Sequence, residues 1–105
     1  MDKIAQRRKP DAIVLNSNDT VATATRTILK GQTISIQSVN KRVSLDVTEH
    51  IQAGHKIALV SISKGDPVIK FGEIIGEATT NISHGRHVHI HNIRSLHGKS
   101  KSLKI

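Results

Sequence analysis

The chain has 105 residues and a formal charge of +8, with no cysteine and only one Phe, Tyr or Trp side chain, that of Phe71. This length fits one domain with a modest core, and the lack of cysteine excludes disulfides and thiolate metal sites. The longest apolar runs are too short to span a membrane, and the N-terminus lacks the apolar segment of a signal peptide, so we expect a cytoplasmic protein.

The positive charge lies mostly at the two ends of the sequence. Residues 1–9 carry a net charge of +3 and residues 94–105 a net charge of +4, whereas the stretch between them holds eight basic and seven acidic residues. We therefore expect a disordered basic lead over residues 1–10, one domain over residues 11–93 and a basic polar tail over residues 94–105. Because the charge is confined to short tails and aromatic stacking platforms are lacking, nucleic acid is not an expected partner.

A pattern of the form Ile-x-x-Gly-x-x-(Ile or Val) occurs four times along the chain, at irregular intervals that exclude a solenoid. Its copies begin at Ile28, Ile51, Ile62 and Ile82. In each copy we expect the first Ile to anchor the end of a strand in the core, and the glycine to adopt a turn conformation that residues with a Cβ resist. The last apolar residue then begins the next strand. The glycines of the four predicted turns are Gly31, Gly54, Gly65 and Gly85.

Alternating apolar residues between these turns indicate short strands. Residues 43–47 and 57–62 alternate in this way, and residues 68–76 are apolar with two glycines, which favours a bend or bulge. Residues 20–26 fit either a strand or one helical turn after a polar cap at 18–19. No helix of ordinary length is visible. The predicted fold class is therefore mostly β, a compact barrel or β-clip-like arrangement of short strands with glycine turns.

Four of the seven histidines fall within eight residues, and three of them alternate as His87, His89 and His91. On an extended strand these side chains point to one face at intervals of about 7 Å, with Val88 and Ile90 on the core side. Neutral imidazole is a good ligand for transition metals and titrates near neutral pH. The pattern therefore predicts contact with a metal ion or an oxyanion. A polar strand face with a local histidine bias is the alternative that stays open.

Three other basic residues are candidates for the same face. His55 follows a predicted turn, and its spacing alone favours a polar turn residue over a fourth imidazole. Lys64 and Lys70 flank residues 65–67. Lysines in such positions are usually solvated, but a lysine beside a histidine-rich face can hold a carboxylate or a phosphate as a point charge.

Three segments together resemble the small N-terminal domain of the altronate/galactarate dehydratase family, a member of the SAF superfamily. They read GHKIAL over residues 54–59, KGDPVIKFGEIIG over residues 64–76 and GRHVHIHN over residues 85–92. The combination is specific, although no single piece would be, and the resemblance covers roughly residues 15–93. It implies a β-clip fold and a much larger catalytic partner, with which the domain eliminates water from a sugar acid in the presence of a divalent metal, iron or manganese.

The resemblance also implies which residues lie near the substrate or the metal. These positions are His55, Lys70, His87, His89, His91 and Asn92, with His87 and His89 as the candidate metal ligands. Lys56 and Lys64 also match positions of the family motifs. Phe71 stands where the family often has Tyr, so any contact made by that hydroxyl is lost here.

The sequence therefore predicts the small subunit or domain of a hydro-lyase of the altronate/galactarate dehydratase type, inactive by itself and completed by a large catalytic subunit. The basic tail after Asn92 looks like a natural end, which favours a separate subunit. Two alternatives stay open. One is the small subunit of a sulfo-lyase that eliminates sulfite from sulfolactate, and the other is a non-catalytic module that binds a partner. Whether the chain forms homo-oligomers also stays open.

Overall fold

The structure is a computed structural model that describes residues 9–95. The predicted basic lead and polar tail lie outside this range except at their inner ends, and both stay predictions. Of the residues at those inner ends, Pro10 accepts a hydrogen bond of 2.6 Å at its carbonyl oxygen from the hydroxyl of Thr25. Arg94 and Ser95 form part of the last strand.

The described residues contain nine short strands and no helix. No helix that could cross a membrane is therefore present among them. The strands are β1 (Ala12–Ile13), β2 (Val21–Ala24), β3 (Thr33–Gln37), β4 (Arg42–Asp46), β5 (Lys56–Ala58), β6 (Pro67–Lys70), β7 (Glu73–Ala78), β8 (His87–Val88) and β9 (Ile93–Ser95). Six strands form one sheet in the order β4-β3-β1-β2-β5-β8, and β6-β7-β9 form a second. The mostly-β prediction is confirmed, and residues 20–26 contain a strand rather than a helical turn.

The four predicted glycine turns are confirmed. The first Ile of each copy is buried, and the four join as two bridged pairs, Ile28 with Ile51 and Ile62 with Ile82. Each pair exchanges two backbone hydrogen bonds of 2.7 to 2.8 Å. All four glycines have φ between +85° and +93°, and the residue after each donates its N–H to the carbonyl three residues earlier. These features define a type II turn with glycine at the third position.

Two clusters of buried aliphatic side chains form the core, and β2 and β5 contribute to both. Successive residues of a strand point to opposite faces of a sheet. Ala22 and Ile57 therefore pack in the first cluster, while Val21 and Ala58 pack in the second. As a result β5 is packed on both faces. This packing holds in place the strand that begins just after His55.

The β6–β7 hairpin carries the bulge expected from its glycines, because its register shifts between Val68 and Ile69. Phe71 and Gly72 form the two-residue loop and both have positive φ, +55° and +79°, as a type I′ turn requires. Gly72 donates its N–H to the Oδ1 of Asp19 at 2.8 Å. This bond seats the tip of the hairpin against the loop that precedes β2.

Candidate functional site

The pairing of β5 with β8 brings distant histidines together. The ladder sets Ile57 opposite His87 and Lys56 opposite Val88, so one further step along it places His55 opposite His89. Directly opposed residues of antiparallel strands share a face. Accordingly the rings of His55 and His89 stack with centroids 4.0 Å apart and planes within 12°. The spacing of His55 favoured a polar turn residue, but the structure places it within a group of imidazoles.

We call His55, His87 and His89 the histidine cluster. The Nδ1 atom of His55 lies 2.8 Å from the Nε2 atom of His87, and the rings of His87 and His89 stack at 5.4 Å. One nitrogen from each of the three residues lies within 4.8 Å of the other two. The ring of His91 lies at the edge of the cluster, tilted by 33° against His87 with centroids 5.1 Å apart.

The prediction of one extended strand through His91 is wrong. Strand β8 ends at Val88, and residues 89–92 form a turn closed by the buried side chain of Asn92. The Asn92 amide group donates to the carbonyl of His87 at 2.8 Å, and its Oδ1 accepts the N–H of His89 at 2.9 Å. Such side-chain bonds compete with a strand ladder. Ile90, expected on the core side, is consequently 83% exposed.

Glu49 holds the start of β8 and is a residue that the sequence analysis missed. Its Oε1 accepts the N–H of His87 at 2.9 Å, and both carboxylate oxygens accept hydrogen bonds of 3.3 Å from the guanidinium of Arg86. Burial alone would raise the pKa of Glu49, but the bond from Arg86, together with the N–H of His87, lowers it below the usual value. Glu49 is therefore ionised at neutral pH, and no local pattern announces a contact between residues so far apart in the sequence.

Residues 10–96 match the family of the altronate/galactarate dehydratase SAF domain. The chain belongs to this family. The SAF domain is 40% identical over 83 residues to altronate dehydratase from Bacillus subtilis, a match that covers 79% of this chain but 16% of that protein. The altronate dehydratase of Escherichia coli matches with the same identity and coverage. The chain thus spans about a sixth of the length of these relatives.

A third relative is close to the SAF domain in size. The alpha subunit of (2R)-sulfolactate sulfo-lyase from Chromohalobacter salexigens is 27% identical over 88 residues, which cover 81% of this chain and 94% of that subunit. The resemblance inferred from the three sequence motifs is therefore confirmed, both for the dehydratases and for the sulfo-lyase subunits.

Two imidazoles of the histidine cluster, those of His87 and His89, have lowered pKa values. Burial is the largest of the effects that lower the pKa of His87 to about 4, and the positive charges of the neighbouring histidines act in the same direction. Burial, followed by the charge of His55, also lowers the pKa of His89. Within residues 9–95 the buried Nδ1 atom of His89 has no hydrogen-bond partner. Neutral imidazoles of this kind can accept a proton or bind a metal ion.

Two lysines carry positive charge near the cluster, although Lys56 is paired with Val88 and therefore lies on the other face of β5 from His55. Lys56 is half-buried, and burial together with the charge of Lys70 lowers its pKa. The charge of Lys56 is in turn among the causes that lower the pKa of His89. Lys70 lies at the hairpin tip, with its Nζ atom 4.9 Å from the ring centroid of Phe71. Lys64 instead lines a separate depression. Lys70 is linked to the site by its charge, which acts on Lys56.

Proposed function

We propose that this SAF domain is the small component of a lyase that eliminates water from a sugar acid, and that a large catalytic subunit completes the active site. The observation that carries the proposal is the histidine cluster, set in the fold of a family named after altronate and galactarate dehydratases. The relatives named altronate dehydratase are about six times longer than the matched segment, which supports a division of the enzyme into a small and a large part.

The chemistry of such an elimination suits the groups that the cluster offers. A base removes the proton next to the carboxylate, an acid protonates the leaving hydroxyl, and positive charge stabilises the aci-carboxylate that forms. The lowered pKa values of His87 and His89 favour neutral imidazoles, which can accept protons. Lys56 and Lys70 supply positive charge that can hold the substrate carboxylate. We assign these roles to the residues as parts of a shared site.

The surface at the edge of the histidine cluster supports a site shared with a partner, although no member of the cluster lines the depression there. A depression of about 220 Å³ lies next to His91 and is also lined by Glu49, Arg86 and Asn92. Ligand pockets usually enclose roughly 300 to 1,000 Å³. This depression is smaller, so a sugar acid bound here would need further walls from the large subunit.

The family resemblance implies a divalent metal, iron or manganese, and the imidazole donors present fit iron. The cluster offers three nitrogens within 4.8 Å of one another, and the buried Nδ1 of His89 lacks a partner among the described residues. His55, His87 and His89 are therefore the residues that would hold the ion. When bound there, it would supply positive charge for the carboxylate and the aci-carboxylate.

The test is reconstitution of the full chain with a large dehydratase-like subunit, for which the neighbouring reading frame is the first candidate. Formation of the 2-keto acid from altronate and from galactarate is the readout. We expect His87→Ala and His89→Ala to lower kcat by about 100-fold or more, the usual contribution of a positioned acid or base. His84→Ala, which removes an exposed imidazole from the preceding turn, is the matched control.

Full activity of both cluster variants would contradict a role in the site. Sedimentation of the mixed subunits separates the non-catalytic alternative. If the variants associate poorly but turn over normally once saturated with the large subunit, the histidines serve partner binding and catalysis belongs to the partner.

A sulfo-lyase is the second candidate function, favoured by the match to 94% of the sulfo-lyase alpha subunit from Chromohalobacter salexigens. The same reconstitution with (2R)-sulfolactate, read out as sulfite release, distinguishes the two. Sulfite release with no turnover of either sugar acid would replace the dehydratase proposal.

A further inference from the structure

The donor set of the histidine cluster is chemically uniform. Each of its three members offers an imidazole nitrogen, and within residues 9–95 no carboxylate oxygen belongs to the group. Glu49, which contacts the backbone of His87, is already engaged by Arg86. Imidazole donors suit iron(II), cobalt, nickel and zinc, whereas manganese and magnesium prefer carboxylate, carbonyl and water oxygens.

We propose that this chain alone, without a partner subunit, binds one divalent ion of the nitrogen-preferring class through His55, His87 and His89, and discriminates against manganese. The inference deepens the proposed function, on which it rests for the use of the ion in catalysis. The binding step itself needs only residues of this chain. Of the two metals that the family resemblance implies, the donor set therefore selects iron(II).

The distances in the cluster are close to those that an ion requires. A tetrahedral site with metal–nitrogen bonds of about 2.0 to 2.1 Å separates its ligand nitrogens by about 3.4 Å. The nitrogens here span separations from 2.8 Å, between His55 and His87, up to 4.8 Å. Because the rings stack almost in parallel, binding requires rotation about side-chain torsions so that the lone pairs converge. All three side chains are half-buried.

The backbone under the cluster is already fixed by hydrogen bonds. Strand β8 is paired with β5, the N–H of His87 is bound by Glu49, and the N–H of His89 is bound by Asn92. His55 donates its own N–H to the carbonyl of Gln52 at 2.9 Å within the glycine turn. A ligand set presented from such fixed positions loses little freedom on binding. Three protein nitrogens also leave at least one coordination position open for water or a substrate oxygen.

The experiment uses the full chain without an affinity tag, stripped with a chelator and titrated separately with Co²⁺, Zn²⁺, Mn²⁺ and Mg²⁺ by calorimetry. We expect one equivalent of Co²⁺ and of Zn²⁺ to bind, at least about tenfold more tightly than Mn²⁺, as nitrogen sites order these ions. The visible absorption of the Co²⁺ form reports its coordination number independently. Equal affinity for Co²⁺ and Mn²⁺, or no binding of Co²⁺, would overturn the inference.

Variants locate the ion. His55→Ala, His87→Ala and His89→Ala should each weaken Co²⁺ binding by about 100-fold, at least as much as the loss of a supporting contact to a ligand. His84→Ala, an exposed imidazole in the turn before β8, should leave the affinity unchanged. A loss for His91→Ala as large as that for His87→Ala would overturn the assignment of three donors. Circular dichroism and thermal unfolding check that each variant is folded. If His89→Ala does not fold, His89→Gln replaces it in the titration.

The outcome is separable from that of the proposed lyase function. Stoichiometric Co²⁺ binding by the chain, combined with no activity on either sugar acid after reconstitution, leaves the metal site standing and counts against the lyase. Activity that depends on the cluster, combined with no ion bound to the isolated chain, overturns this inference and leaves the lyase standing.

Discussion

Two of the four glycine turns carry the candidate site, and the other two, built in the same way, do not. All four share a buried Ile anchor, a positive φ at glycine and the same turn hydrogen bond. The turns at Gly54 and Gly85 lead into β5 and β8, which pair with each other, whereas the turns at Gly31 and Gly65 lead into β3 and β6, which pair with other strands. The repeated motif therefore builds the scaffold, and the pairing of strands decides which two turns bring histidines together.

The largest expected effect comes from substituting the two kinds of turn glycine. Gly85→Ala should destabilise the domain by about 3 kcal/mol or more, because φ is +85° and a Cβ would also collide with the carbonyl oxygen of Asp46. Gly65→Ala, with φ at +90° and open space around a Cβ, should cost only about 1 to 2 kcal/mol, the penalty for a left-handed residue. Urea unfolding measures both values. Equal losses would show that the carbonyl of Asp46 moves away at no cost.

A smaller effect is expected from two asparagines that brace these regions. Asn92 is buried, and its amide satisfies the carbonyl of His87 and the N–H of His89. Asn92→Ala leaves both groups unpaired and should cost about 2 to 4 kcal/mol, since both bonds are part-buried and each unpaired group then costs about 1 to 2 kcal/mol, the lower part of the range for buried groups. Asn81→Ala removes one exposed bond to the N–H of Lys64 and should cost about 0.5 to 1 kcal/mol. The free energy of unfolding is the readout.

The two asparagine variants should also differ in their affinity for Co²⁺. Asn92→Ala should weaken Co²⁺ binding, because His89 loses the contact that places it, while Asn81→Ala should not. Similar unfolding free energies for the two variants would mean that water replaces the amide of Asn92 and that the 89–92 turn does not depend on it.

The same contrast explains what the sequence could predict. The glycine turns follow from local rules, since a positive φ selects glycine and the apolar spacing marks the ends of strands. The hairpin bulge is likewise a local feature, whereas the local pattern at residues 20–26 left a strand and a helical turn both open. Phe71 is an exception, because its positive φ (+55°) is imposed by the two-residue loop and has no signal in a residue of this type.

The site could be predicted only in part, because its assembly depends on contacts between distant segments. The alternation of His87, His89 and His91 marked the right region, but Asn92 closes a turn there, and a side-chain bond of this kind outweighs a two-residue period. His55 joins the cluster through the register of β5 with β8, and Glu49 joins through a bond to the backbone of His87. Neither contact follows from a pattern within one segment. The repeat itself held the one useful signal, since two of its copies each place a histidine within two residues of the glycine.

The smallest expected effect is electrostatic and concerns Glu49, which accepts hydrogen bonds from Arg86 and His87 just after the turn at Gly85. Its pKa is lowered in the folded state, so its contribution is present above the ordinary pKa of a glutamate, about 4.3, and is lost as the pH falls through the lower folded value. Because its side chain is about one-third exposed (34%), solvent limits this contribution to about 0.5 kcal/mol.

Glu49→Gln should therefore be less stable than the parent by about 0.5 kcal/mol at pH 7, and the difference should vanish below the folded pKa of Glu49. A difference in stability that persists in acid would mean that Glu49 acts on β8 through its hydrogen bond to His87 and not through its charge.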